Sequence, residues 1–302
     1  MRASPSIAGV GIGLRRAHFE ALEQLDPQRL DWLEFVPENF VGRGGVYARA
    51  LAACRERWPL VPHGVSLSIG GPDSLETPYL AGLRRLLHSL GVAYYSDHLC
   101  YCSIEREQFY DLLPLPWSDA AADYAGARGA WLQDHLQLPV ALEHVTTYGR
   151  MPGSHLTEGD FVARALASGG LGLVLDVNNV YLDAVNHGHD PWTLLASLPL
   201  ERVRHVHLAG HRRDGRFLLD SHDGPVAEPV WALYEQLLTQ IGPVPTLIEW
   251  DAQIPALEVV LQEVERARAS LARAAAMAPT WSIRAEDPPL ARTAGRGGSG
   301  PA

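Results

Sequence analysis

Short apolar runs alternate with amphipathic stretches along most of the chain, and the alternation carries the fold. Runs at 8–14, 32–36, 93–96, 139–144, 171–176, 202–209 and 246–251 read as buried strands. A further strand ends in Pro62-His63-Gly64 and continues into 65–70. Between them, helical spacing predicts helices over 17–25, 45–57, 76–90, from Ser118 to near Gln137, from Thr157 onward, from Pro191, over 228–241 and over 255–276. The helix over 76–90 has the clearest stripe, with Leu at 80, 83, 86, 87 and 90. Ser118 and Thr157 stand where N-caps belong, and a longer loop runs through Pro114 and Pro116. Eight strands alternating with helices imply a parallel sheet, and its simplest closure is a single (β/α)₈ barrel over residues 1–277. A doubly wound open sheet is the runner-up. Its nucleotide-binding fingerprint is missing, because Arg15 and Arg16 follow the early Gly-x-Gly where a third glycine is wanted. From Ala278 to the end the chain is rich in Pro, Gly, Arg and Ser without periodicity, and a disordered tail is expected over 278–302.

Composition narrows the setting. A formal net charge of −10 argues against a nucleic-acid partner, since phosphate contacts need a basic surface. Bound metal ions would offset part of that charge locally. Cys54, Cys100 and Cys102 make no disulfide framework and suit a reducing cytoplasm. The first residues lack the apolar core of a signal peptide, and no run approaches the ~20 apolar residues of a membrane span. A soluble cytoplasmic protein with no membrane partner is expected.

The chemistry gathers at strand ends. The seventh strand closes with His205-Val-His207-Leu-Ala-Gly-His211, and Asp220-Ser-His222 follows soon after. Glu38 follows strand two, His63 ends strand three, His98 follows strand four, Glu143 ends strand five, Asp176 strand six, and Glu249 strand eight. In a barrel of this class the active site sits at the C-terminal strand ends. A lone buried His is more often a core hydrogen-bonding group than a ligand. Six or seven such groups on one rim point to metal, because each costs free energy unless paired or coordinated. His63, His98, Glu143, Asp176, Asn179, His207, Asp220, His222 and Glu249 are nine candidate ligands, against about three for a mononuclear catalytic site. Two or three metals with a bridging carboxylate follow, and imidazole plus carboxylate suits iron, zinc or manganese. Cys100 and Cys102 read as packing.

The strings Glu38-Asn39-Phe40, His63-Gly64-Val-Ser-Leu-Ser68, Ser96-Asp97-His98-Leu99, Leu175-Asp176-Val-Asn178-Asn179-Val180-Tyr181, His205-Val-His207-Leu-Ala-Gly210-His211 and Asp220-Ser-His222 resemble the multinuclear non-haem iron-dependent oxidase family. That family includes the oxidase of methanobactin biosynthesis and enzymes that mature bufferin peptides. The resemblance spans roughly residues 8 to 270. It implies a xylose isomerase-like (β/α)₈ barrel holding two or three mixed-valent iron ions, with dioxygen as co-substrate and cysteines of a ribosomally made precursor peptide as target. It also implies a separate peptide-recognition partner protein. By position, His63, His98 and Glu143 would hold one metal. Glu143 would bridge to a second, completed by Asp176, His207 and Glu249. Asn179, Asp220 and His222 would hold a third, weaker one. His211 and Glu38 are the candidates for catalytic roles outside these shells, His211 by orienting a ligand or the substrate, and His205 is ranked structural. The chain departs from the family's commoner pattern at His144 and at Trp250, next to two of the ligands. The rivals on the same barrel are a zinc phosphodiesterase of the endonuclease IV type and a two-metal sugar isomerase, along with a non-enzymatic metal-binding scaffold. The chain has no lysine, which removes the isomerase's usual catalytic lysine.

Overall fold

The computed structural model describes residues 7–75 and 77–277. Eight parallel strands form one sheet: β1 Val10–Gly13, β2 Trp32–Phe35, β3 Leu60–Pro62, β4 Tyr95–His98, β5 Val140–Glu143, β6 Gly172–Asp176, β7 Val203–Ala209 and β8 Thr246–Glu249. They lie in the order β3-β2-β1-β8-β7-β6-β5-β4. The two ends meet just past β3, where His63 pairs in parallel with Ser96 and the Gly64 N–H donates to the Ser96 carbonyl at 2.8 Å. The sheet is thereby closed into a barrel.

Helices α1 Phe19–Gln24, α2 Gly45–Arg55, α3 Pro78–Leu90, α4 Asp119–Leu136, α5 Glu158–Gly169, α6 Val177–His187, α7 Pro191–Ser197, α8 Glu228–Ile241 and α9 Leu257–Met277 complete the fold. The stripe on α3 sinks Leu80, Leu83 and Leu87 completely. Burying each such side chain contributes about 1.5–3 kcal/mol. Ser118 and Thr157 cap α4 and α5 as their positions suggest, accepting from the Ala121 and Asp160 N–H groups.

The interior is layered, and the layering creates the site. Trp32, Val61, Tyr94, Ala141, Val174 and Leu247 form a separate buried cluster. Two residues further along, on the same face of each strand path, stand Glu34, His63, Ser96, Glu143, Asp176 and Glu249. One pleat therefore converts an apolar floor into a polar rim. Gly11 makes room for the floor, since a Cβ there would lie 2.5 Å from the Trp32 indole.

Several elements differ from the sequence-based expectation. Residues 65–70 leave the sheet instead of extending β3, and β4 starts at Tyr95, two residues late. The expected loop before Pro114 is a hairpin of Cys100–Ile104 with Glu107–Pro114, and a second hairpin joins Arg212–Asp214 to Phe217–Leu219. Helix α6 follows β6 directly, because Asp176 Oδ1 accepts from the Asn179 N–H at 2.8 Å and caps it. The expected tail over 278–302 lies outside the described residues. No described helix is long and apolar enough to cross a membrane.

Candidate metal centre

His63 and His98 each commit one ring proton outward. Ser96 Oγ donates to the Pro62 carbonyl, so it accepts from His63 Nδ1 at 2.9 Å. The Gly64 carbonyl accepts from His98 Nδ1 at 3.1 Å. In the neutral rings this leaves two lone pairs, on the Nε2 atoms, facing each other at 3.2 Å. Glu143 Oε2 closes the triangle, 3.1 Å from His63 and 3.8 Å from His98. Such an arrangement repels itself unless a proton or a cation sits inside it.

The same Glu143 oxygen lies 3.3 Å from His207 Nδ1, which is 3.1 Å from Glu249 Oε2. Asp176 joins Glu143 and His207 in a second group of potential ligand atoms, and Asp176, His222 and Glu249 make a third. Glu143 Oε2, Asp176 Oδ2, His207 Nδ1, His222 Nε2 and Glu249 Oε2 are all buried and none makes a hydrogen bond of good geometry, although they lie at ion-pair distance from one another or from His63 and Asp220. Five orphaned oxygen and nitrogen atoms converging this way fit a set of metal ions, since buried polar atoms are otherwise almost always paired.

Charge within the cluster is finely divided. Burial opposes the charged form of every member, and the neighbours then decide. For His63, Glu34 and Glu143 outweigh burial and raise its pKa to about 9. His207 and His222 are driven well above the usual imidazole range against burial, His207 by Glu34 and Glu249, His222 by Asp220 and Glu249. His98 goes down, through burial and then through its neighbour His63. Glu249 is carried to about 2 despite burial, by His207 and His222. Asp176 goes the other way, pushed up to about 8 by burial and by Glu143.

The remaining candidates sit at graded distances from this centre. Asp220 Oδ1 is 2.6 Å from His222 Nε2. Asn179 lines the cavity, but its Oδ1 accepts from Thr146 Oγ1 at 2.8 Å and its Nδ2 donates to the His144 carbonyl. His211 is not in the cluster: its Nδ1 donates to Asn178 Oδ1 at 2.7 Å, and Asn178 Nδ2 donates to Asp220 at 3.0 Å. Glu38 accepts the Val65 and Ser66 N–H groups and the Ser66 hydroxyl, and so fixes the segment after β3. His205 and Glu34 lie directly beneath His207, both buried.

Sequence reasoning passed over three groups around the rim. Arg15 reaches Glu249 Oε1 at 3.5 Å, Asp251 Oδ2 holds His222 Nδ1 at 3.0 Å, and Glu34 meets His207 from below. A cavity of about 310 Å³ opens above the cluster, with Asp111 and Leu112 of the first hairpin and Tyr148 on its walls. His144, the departure beside Glu143, turns away from it toward Glu158, with Nδ1 3.4 Å from Oε1.

Comparison with known proteins agrees with this architecture. A UPF0276 protein of Acaryochloris marina is 39% identical over 267 residues, 88% of this chain and 96% of the relative. Another, of Bordetella bronchiseptica, is 43% identical over 283 residues, 92% and 98% of the two chains. Among solved structures, D-psicose 3-epimerase of Clostridium cellulolyticum H10 with D-tagatose superposes at a TM-score of 0.59 and 11% identity, over 88% of this chain and 99% of the other. A xylose isomerase-like TIM barrel protein of Mycobacterium smegmatis in complex with magnesium gives 0.53 at 16% identity, over 91% and 100%. These structures share the fold, a xylose isomerase-like barrel. The family model described as "RiPP precursor modification enzyme MbnB/TglH/ChrH" matches residues 9–272, where RiPP denotes a ribosomally synthesised, post-translationally modified peptide. The chain belongs to this family of enzymes that modify ribosomally made precursor peptides.

Proposed function

We propose that this protein is a multinuclear non-haem iron oxidase that uses dioxygen to modify cysteine residues of a precursor peptide. The observation that carries the metal part is the convergence of five buried, unpartnered ligand atoms at the strand ends. Family membership supports the peptide. His63, His98 and Glu143 would hold one ion. Glu143, Asp176, His207 and Glu249 would hold a second, and His222 with Asp220 and Asn179 a third. When bound, such ions supply thiolate binding, dioxygen activation and Lewis acidity. Zinc or manganese is the alternative occupant, and with it hydrolytic chemistry. The reading also includes a cytoplasmic setting and a separate protein that recognises the peptide, with no nucleic-acid or membrane partner.

The chain's own residues prepare the site. Ser96 and the Gly64 carbonyl hold the first two imidazoles in the tautomer that leaves Nε2 free. Glu38 keeps Val65 at the cavity wall by tying down the segment that carries it. Asp251 sets His222 through Nδ1, and His211 sets Asp220 through Asn178, so His211 acts at two removes from the cluster. The cavity has room for a cysteine side chain and its neighbouring backbone, and its recess limits water around the thiol. The test is to load the purified chain with ferrous iron and add dioxygen and the Cys-containing precursor with its recognition protein. A mass change in the peptide that requires both iron and dioxygen is expected. An unchanged peptide with iron-loaded protein would overturn the reading.

A further inference from the structure

His207 differs from the other cluster imidazoles in what stands behind it. His63 leans on a hydroxyl and His98 on a carbonyl, both neutral, whereas His207 Nε2 lies 3.2 Å from Glu34 Oε2. The half-exposed Asp251 stands behind His222, but Glu34 and His207 are sealed from solvent. His205 shares the same carboxylate oxygen, its Nε2 also 3.2 Å away and 3.0 Å from His207 Nε2. The Tyr94 hydroxyl lies 2.8 Å from His205 Nδ1. Were His205 protonated only at Nδ1, its Nε2 lone pair would face the carboxylate. Tyr94 therefore donates to Nδ1, and His205 Nε2–H donates to Glu34.

We propose that Glu34, held by His205 and Tyr94, is the positioning residue of His207, fixing the Nε2–H tautomer so that Nδ1 is the atom offered to the metals. The inference rests on the metal reading above. Glu34 accepts two N–H groups at one oxygen, which compensates a carboxylate that burial would otherwise penalise. His207 Nδ1 is left aimed at Glu143 and Glu249, unpartnered. A carboxylate behind a ligating imidazole fixes its orientation and raises its basicity, and losing it typically weakens metal binding ~10–100-fold. The hydrogen bond belongs to the central group of ligands alone, because His63 and His98 have their own outer partners and Glu34 reaches His63 only through its charge.

Two measurements test this, both on the full chain after chelator treatment. In the first, Co²⁺ alone is titrated into wild type, Glu34→Gln and His205→Gln, and the visible cobalt absorption is followed. Glu34→Gln is expected to weaken one class of site ~10–100-fold and to change another much less. His205→Gln keeps an N–H donor for Glu34 and is expected to retain both classes. Equal affinities in Glu34→Gln and wild type overturn the proposal, as does an equal loss in both variants. The second measurement needs no variant to fold. In Zn²⁺-loaded wild type, ¹⁵N-histidine spectra are expected to show His207 bound through Nδ1 with Nε2 protonated, and His63 and His98 bound through Nε2. His207 bound through Nε2 overturns the assignment. Wild type that takes up neither Co²⁺ nor Zn²⁺ overturns the metal reading itself, a result distinct from both.

Discussion

Asp176→Asn is expected to change stability in opposite directions with and without metal. Asp176 Oδ2 is fully buried and unpartnered, while Oδ1 caps α6. Asn caps equally well, so the substitution removes a charge and spares the helix. In the metal-free protein the folded state keeps a proton on Asp176 up to about pH 8, against 3.8 ordinarily. The folded state then binds more protons than the unfolded one across that window, so stability falls as pH rises from about 4 toward 8. At pH 7 the cost is roughly 4 kcal/mol, at about 1.4 kcal/mol per unit. Desolvating the Asn amide costs about 1–3 kcal/mol and returns part of the gain. Chelated Asp176→Asn is thus expected to be about 1–3 kcal/mol more stable than wild type at pH 7, with the advantage gone near pH 4. Metal works the other way. At a hundred times the wild-type Kd it stabilises wild type by about 2.7 kcal/mol, and a variant binding 100-fold more weakly by only about 0.4. Urea denaturation with chelator and with Co²⁺ at pH 4.5 and pH 7 reads all of these. If Co²⁺ stabilises both proteins equally, Asp176 is no ligand. If the chelated variant is less stable at pH 7, the buried-charge argument is wrong.

Three further outcomes follow from the same geometry. Metal binding is expected to release protons, because His63, with its pKa near 9, and His207 and His222 above the usual range must give theirs up to bind. Apparent affinity for Co²⁺ should therefore climb from pH 6 toward pH 9, and calorimetry in buffers of different ionisation enthalpy should count at least one proton; a flat profile contradicts the assigned charges. Phe109 and Tyr110 are exposed on the hairpin whose Asp111 and Leu112 line the cavity, so Phe109→Ser with Tyr110→Ser is expected to raise KM for the peptide and leave metal content unchanged. Unaltered KM would remove the hairpin from peptide binding. On the far side of the sheet, Leu83→Ala on α3 is expected to cost about 2–5 kcal/mol in chemical denaturation, with metal stoichiometry unaltered.

The rim was legible in the sequence because of how a barrel strand is built. Each strand is covered on both faces and reads as an apolar run, so a charged residue shows only where the inward face reaches the mouth. Val61 to His63, Ala141 to Glu143, Val174 to Asp176 and Leu247 to Glu249 are the same two-residue step, repeated at four strands. Glu34 makes that step from Trp32 as well, yet nothing nearby in the chain gives it a purpose. Its partners lie 171 and 173 residues away, and only closure of the barrel brings them together. Asn179 is a different case, since it lines the same cavity as the cluster. The resemblance grouped it with Asp220 and His222, and the helix that Asp176 caps also brings its side chain to Thr146 and the His144 carbonyl. The cap also explains why α6 was missed, since a single aspartate both ends a strand and starts a helix, and its apolar strand masks the start signal. The first hairpin escaped because most of its second strand is exposed on both faces, which removes the alternation that reveals a half-buried strand. Sequence pattern records burial, and burial records a ligand only where the chain itself supplies the contrast. Where two distant strands supply it jointly, as Glu34 and His207 do, the pairing is a property of the closed sheet.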